Sequence, residues 1–228
     1  AILSQHRTAE AATKNLQNYL KKHQNWLPKW RIAINTEKSS AIIFRKGRLR
    51  RRQHPIPLTL FNGTIPWTKE TKYLEVILDH NLKYNEHINY IAKNFKTKLA
   101  QLIPLLRKSS KLTLENKRLI YLQYIQPLLS YACAIWGTIS QTNINKLHVI
   151  QNRRLRLITG APLFISRRLL HNELEIESIP KLIRKLDTSF HNSLQNHQNP
   201  TITYLSRNTL HTGTRSLLLQ TQDIPDNL

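Results

Sequence analysis

Beyond Asp79 the apolar residues Ile88, Ile91, Ala92, Phe95, Leu99, Leu102, Ile103 and Leu106 recur at steps of three and four, a stripe that only a helix gathers onto one face. Between Pro28 and Asp79 the dominant period is two. This switch separates a strand-rich stretch from a helical part, and predicts an α+β fold: a small, mostly antiparallel sheet followed by a helical bundle. Further helices are expected over Thr113 to Ser130, over Ile144, Leu147, Ile150, Leu155 and Ile158, and over Ile179, Leu182, Ile183, Leu186 and Phe190. Pro104, Pro127, Pro162 and Pro180 stand near their edges.

Ahead of the sheet, Thr8 is a plausible N-cap for a helix running to Pro28, with Ala12, Leu16, Tyr19, Leu20, His23 and Trp26 at helical spacing. After Pro28, Trp30, Ile32 and Ile34 alternate with Arg31, Ala33 and Asn35, and Ala41 to Phe44 follow a polar stretch. Two short strands joined by a turn are expected there. Leu58 to Phe61 then meet Asn62 and Gly63, a strong hairpin signal, before Thr64 and Ile65. A further strand is expected over Tyr73, Leu74, Val76, Ile77 and Leu78. From about Gln195 the chain is rich in Asn, Gln, Thr and Ser, and a loosely ordered tail is expected.

Charge narrows the class of partner. Lys and Arg number 35 against 13 Asp and Glu, a formal net charge of +22, and the cations are spread along the chain instead of stacked on one amphipathic helix. A nucleic acid is the expected polyanion. No apolar run approaches the roughly 20 residues that span a bilayer, and the single cysteine, Cys133, excludes an internal disulfide framework. A soluble, intracellular protein is expected. Its apolar opening, Ala1, Ile2 and Leu3, reads like the inside of a strand, so the left end looks cut.

Chemistry is sparse by comparison. Two-metal phosphoryl transfer needs converging carboxylates, yet Asp79, Asp187, Asp223 and Asp226 form no adjacent pair within a strand. Glu173, Glu175 and Glu177 read as a solvated edge or as partners for nearby arginines. Ten histidines without cysteine partners or a His-Glu-x-x-His pair give no zinc set, and the glycines are isolated, so no metal ligands are assigned. Binding features are richer. Arg45, Lys46, Arg48, Arg50, Arg51 and Arg52 form a basic burst that cannot be core. Arg153, Arg154 and Arg156, with Lys146 two turns earlier, fall opposite Leu147, Ile150, Leu155 and Ile158, so a packed helix would turn its guanidinium groups outward toward phosphates. Contact with about six phosphates predicts a log K against log salt slope of about −5 on duplex DNA.

Several phrases together resemble the reverse transcriptases of non-LTR retrotransposons, most closely the jockey-like group of arthropods. The resemblance covers about residues 1 to 185. Ala1 to Ser4 are similar to the strand residues that follow the family's Tyr-Ala-Asp-Asp box, which would leave the metal-binding aspartates upstream. Trp26, Leu27, Trp30 to Asn35 and Glu37 to Ser39 resemble polymerase motif D, whose lysine matches Lys38 and is implied to help protonate the pyrophosphate leaving group. Lys72 to Asp79 resemble the primer-grip hairpin, with Glu75 in place of a glycine. Leu82, Tyr84, His87, Tyr121, Pro127, Tyr131, Trp136, Leu147, Gln151, Asn152 and Arg156 match the thumb and the connection after it.

The resemblance implies the C-terminal edge of a polymerase palm over residues 1–80, a helical thumb over 81–140, a basic helical connection over 141–194 and the loose tail over 195–228. It implies an RNA-directed DNA polymerase whose parent uses Mg²⁺, an RNA template and a DNA primer as partners, and upstream palm and fingers of the same polyprotein. Nuclear location during reverse transcription would follow. Its implied nucleic-acid contacts are Lys72, Tyr73, Arg45, Lys46, Arg48, Lys146, Arg153, Arg154 and Arg156, with Lys38 as the implied general acid. This chain alone is expected to bind primer-template without extending it. A free-standing, non-catalytic nucleic-acid binder derived from such an element is the alternative.

Overall fold

The computed structural model describes residues 1–44, 55–137, 139–195, 197–200 and 202–203. The basic burst, Arg45, Lys46 and Arg48 included, and most of the expected tail lie outside the described residues. The chain divides into two compact units, 1–82 and 83–228. Strands occur in the first and long helices dominate the second, as an α+β chain requires.

In the first unit, α1 (Ala9–Trp26) starts where Thr8 takes extended backbone and its hydroxyl accepts from the Ala11 N–H. Leu20 packs with Ala41, Leu58, Leu60 and Ile65, and Leu16 and Trp67 lean on that core. Strands β1 (Leu58–Leu60) and β2 (Gly63–Ile65) pair antiparallel, with Leu58 opposite Ile65 and Leu60 opposite Gly63. The Gln17 side chain mimics a neighbouring strand. Its amide donates to the Thr59 carbonyl at 2.9 Å and accepts the Thr59 N–H at 2.8 Å, which satisfies the open side of β1 from the helix.

Gly63 opens β2 instead of occupying the turn, whose two residues are Phe61 and Asn62. A Cβ at Gly63 would overlap the Thr36 hydroxyl, so close packing by Thr36 is what requires glycine here. The single strand expected over 73–78 is a second hairpin, β3 (Glu70–Tyr73) against β4 (Val76–Asp79), with Leu74 and Glu75 as its loop. Both loop residues have positive φ, 46° and 64°, as a type I′ turn demands.

The two strands expected around residues 30–44 do not form. Pro28–Trp30 is a single 3-10 turn, and Arg31 at φ 54° ends it. Trp30, Ile32 and Ile34 are exposed, and Ala41 makes an isolated parallel bridge to Trp67. Alternation marks a chain fit for pairing, but a ladder needs a second backbone, and among the described residues none lies along 30–34. The turn expected between them does form: the Asn35 side chain accepts the Lys38 N–H at 3.1 Å.

The second unit is built on α2 (Asn85–Leu106), which buries Ile88, Ile91, Phe95, Leu99 and Leu106. Next come α3 (Leu114–Ile120), a π turn over Tyr121–Ile125, α4 (Gln126–Ser130) and the short α5 (Cys133–Trp136). The π turn has a cause in Pro127. Proline supplies no N–H and its ring crowds the carbonyl four residues back, so the ladder widens by one residue and Gln126 bonds to Tyr121 O. Then α6 (Gln141–Thr159), α7 (Arg167–Glu173) and α8 (Ile179–Gln195) close the unit, with α6 packed on α2, α7 and α8. Gln151 on α6 ties them from inside: it donates to Tyr121 Oη at 3.0 Å and to the Glu177 carbonyl at 2.8 Å, and accepts the Ile179 N–H at 2.8 Å. Burial pushes the Tyr121 phenol above its ordinary pKa, and the hydrogen bond from Gln151 opposes that shift.

Candidate nucleic-acid interface

Between the end of α2 and the last turns of α6 lies an open hollow of about 950 Å³, lined by Arg107, Lys108, Arg153, Arg154 and Arg156. Two segments about fifty residues apart in sequence bring these cations together. Arg107 caps α2, and its carbonyl accepts from the buried Lys117 ammonium at 3.0 Å, which fixes the corner. Gly160 ends α6 at φ 67°, and a Cβ there would overlap the Lys108 side chain, so glycine both turns the chain and leaves room for Lys108.

The hollow is electrostatically unbalanced. None of the ion pairs among the described residues involves these five side chains, and no described carboxylate lines the hollow. Burial, and then the neighbouring Arg153 charge, pull the Arg154 guanidinium below its ordinary pKa, while its buried Nε finds no hydrogen-bond partner among the described residues.

The outward basic face expected on α6 is only partly present. Arg153 and Lys146 are exposed and Arg154 is half-buried. Arg156 turns to the chain itself: its guanidinium donates to Pro162 O at 2.5 Å and Ile165 O at 2.6 Å, orienting the loop after Gly160. Lys146 lies two turns away and does not line the hollow. Sequence reasoning gives no cause to single out Arg107 and Lys108, since two adjacent cations straight after an apolar stripe are too common a pattern to weigh alone. A second shallow, basic hollow follows one face of α8, at Lys181, Arg184 and Lys185, where Glu177 pairs with Lys181 and Lys185 at 3.8 and 3.5 Å.

In the first unit, Lys38 is an exposed turn residue, and Lys72 and Tyr73 are exposed at the end of β3, where Lys72 pairs with Glu75 at 2.8 Å. The Mg²⁺ implied by the family resemblance finds no fit: among the described residues no three His, Cys, Asp or Glu side chains gather into a set able to hold a metal ion. No helix among them is long and apolar enough to cross a membrane.

No family model matches the chain, and no solved structure matches it significantly. Curated proteins do. It is 33% identical over 196 residues to a probable RNA-directed DNA polymerase from transposon X-element of Drosophila melanogaster, and 34% identical over 200 residues to the RNA-directed DNA polymerase from mobile element jockey of Drosophila funebris. A jockey polymerase of Drosophila melanogaster is 30% identical over 200 residues. These alignments take in 86–87% of this chain but 21% of each relative, so the chain spans about a fifth of the length of the curated relatives it matches. Over 86–87% of its length, the chain is thus homologous to one segment of the RNA-directed DNA polymerases of jockey-type non-LTR retrotransposons.

Proposed function

We propose that this chain grips the primer-template of a non-LTR RNA-directed DNA polymerase, with helices α2 and α6 acting as a thumb-like clamp on the nucleic-acid backbone. The observation that carries the reading is the carboxylate-free hollow of Arg107, Lys108, Arg153 and Arg154. Guanidinium forks bind phosphate oxygens bidentately, and such contacts position a duplex without reading its sequence. Arg156 serves this surface indirectly, by holding the loop from Pro162 to Ile165. Lys72 and Tyr73 are assigned to the primer strand, and Lys38 to the phosphates of the incoming nucleotide. The carboxylates that hold Mg²⁺ for the chemical step are assigned to other parts of such a polymerase.

Salt-dependent binding of a labelled RNA–DNA hybrid tests the clamp. The wild-type chain is expected to give a steep negative slope of log K against log salt. The double variant Arg107→Ala, Arg153→Ala is expected to flatten it by about 1.8, near 0.9 for each phosphate no longer neutralised on a B-form duplex and somewhat less on other geometries. An unchanged slope in a folded double variant would remove the hollow from the interface.

A further inference from the structure

Four aromatic rings stand in one line on the first unit. Tyr19, His23, Trp26 and Trp30 follow steps of four, three and four, with centroids 4.9, 5.3 and 5.7 Å apart and planes tilted by 31°, 24° and 35°. This is not the packing face of α1, because Leu16 and Leu20 turn to the β1–β2 core and Leu27 is buried. Tyr19, Trp26 and Trp30 are 45%, 44% and 65% exposed, whereas the core residue Trp136 is at 0%. The helix ending holds the outermost ring in line: the Arg31 N–H donates to Pro28 O and the Ile32 N–H to Leu27 O, both at 3.0 Å. Trp30 is thereby kept beside Trp26.

The surrounding charge points to one kind of partner. From Ala11 to Thr36 the chain carries Lys14, Lys21, Lys22, Lys29 and Arg31 and no Asp or Glu. Apolar rings alone suit many partners, but rings set among uncompensated cations suit a ligand with flat faces on an anionic backbone. We propose that the Tyr19–His23–Trp26–Trp30 ladder is a stacking platform for the unpaired bases of single-stranded RNA or DNA, whose phosphates meet Lys22, Lys29 and Arg31. Base–aromatic stacking tolerates any sequence, since every base offers a π-face. The ladder belongs to the first unit and the basic hollow to the second, so the platform does not rest on the clamp reading.

The test compares an end-labelled oligothymidylate with an abasic strand of equal length, both titrated against the full chain. Phosphate number is the same in both, so the expected advantage of about tenfold or more for the thymidylate reports stacking alone. Trp30→Ala, an exposed position whose folding is checked by thermal melting, is expected to erase that advantage while leaving the abasic strand unaffected, and Trp30→Phe to restore most of it. Arg107→Ala with Arg153→Ala is expected to weaken hybrid binding yet keep the advantage, which separates the two sites. Equal binding of thymidylate and abasic strands overturns the platform. So does an equal loss for both in Trp30→Ala, or capture of the ladder by a protein partner that thymidylate does not displace.

Discussion

Glu75 holds a backbone conformation, φ 64°, that costs a residue with a Cβ about 1 kcal/mol relative to glycine. Its compensation is the exposed ion pair with Lys72, which as a surface contact is worth only a few tenths of a kcal/mol. Glu75→Gly is therefore expected to stabilise the β3–β4 hairpin by roughly 0.5–1 kcal/mol, seen as a higher urea midpoint with unchanged slope. His87 shows the opposite economy. It is buried among Tyr84, Tyr90 and Trp136, and burial lowers its pKa from 6.5 to about 4. The unfolded chain takes up that proton near pH 6.5 and the folded chain only near 4. Stability from the neutral ring is thus fully present above 6.5 and falls as pH drops toward 4, by up to ~3 kcal/mol before solvent screening reduces it. His87→Phe is expected to flatten this decline in urea unfolding between about pH 7 and 4. A decline as steep as the wild type's would assign the proton uptake elsewhere.

At the scale of elements, helices are legible because each carries its own instructions. Thr8, Thr113 and Ser166 cap their helices with side-chain oxygens as their residue types suggest, and the stripe from Ile88 to Leu106 becomes the buried face of α2. Strands are less legible, since a strand's partner is not written in its own residues. Leu58–Ile65 succeeds because its partner is two residues away, while 30–34 alternates without one. The π turn depends on a single proline that also reads as an ordinary helix edge. The junction of α6 with its following loop carries a prediction of its own. Gly160→Ala forces a Cβ into a left-handed residue and against Lys108, so a loss of about 1–2 kcal/mol is expected in thermal or urea unfolding, together with weaker hybrid binding as Lys108 is displaced. Full hybrid affinity in that variant would show that Lys108 does not contribute.

For the whole molecule, a net charge of +22 with 40% apolar residues demands both a core and a polyanion, and both expectations come from composition. Catalysis is a different matter. Nucleotidyl transfer needs carboxylates converging on divalent cations, and the proposed clamp reading assigns these to other parts of such a polymerase. On that reading the isolated chain is expected to incorporate no deoxynucleotide on a primed RNA template with Mg²⁺ present, while still binding that template in a gel-shift assay. Measurable extension would place a catalytic centre within these 228 residues.

The sequence alone determined the long helices, the Thr8 cap, the helix-rich second half and the kinship with retrotransposon polymerases, because periodicity, capping chemistry and residue order are written locally in the chain. Tertiary structure decided which cations are neighbours. Arg107 and Lys108 meet Arg153, Arg154 and Arg156 only because α2 packs along α6, and Arg156 is tied to the chain itself only because the carbonyls of Pro162 and Ile165 come within reach. It also left Trp30 beside Trp26 on the surface instead of within a strand. Each of these outcomes depends on a second stretch of backbone arriving from elsewhere in the chain, or failing to arrive, and the periodicity of one segment holds no record of that.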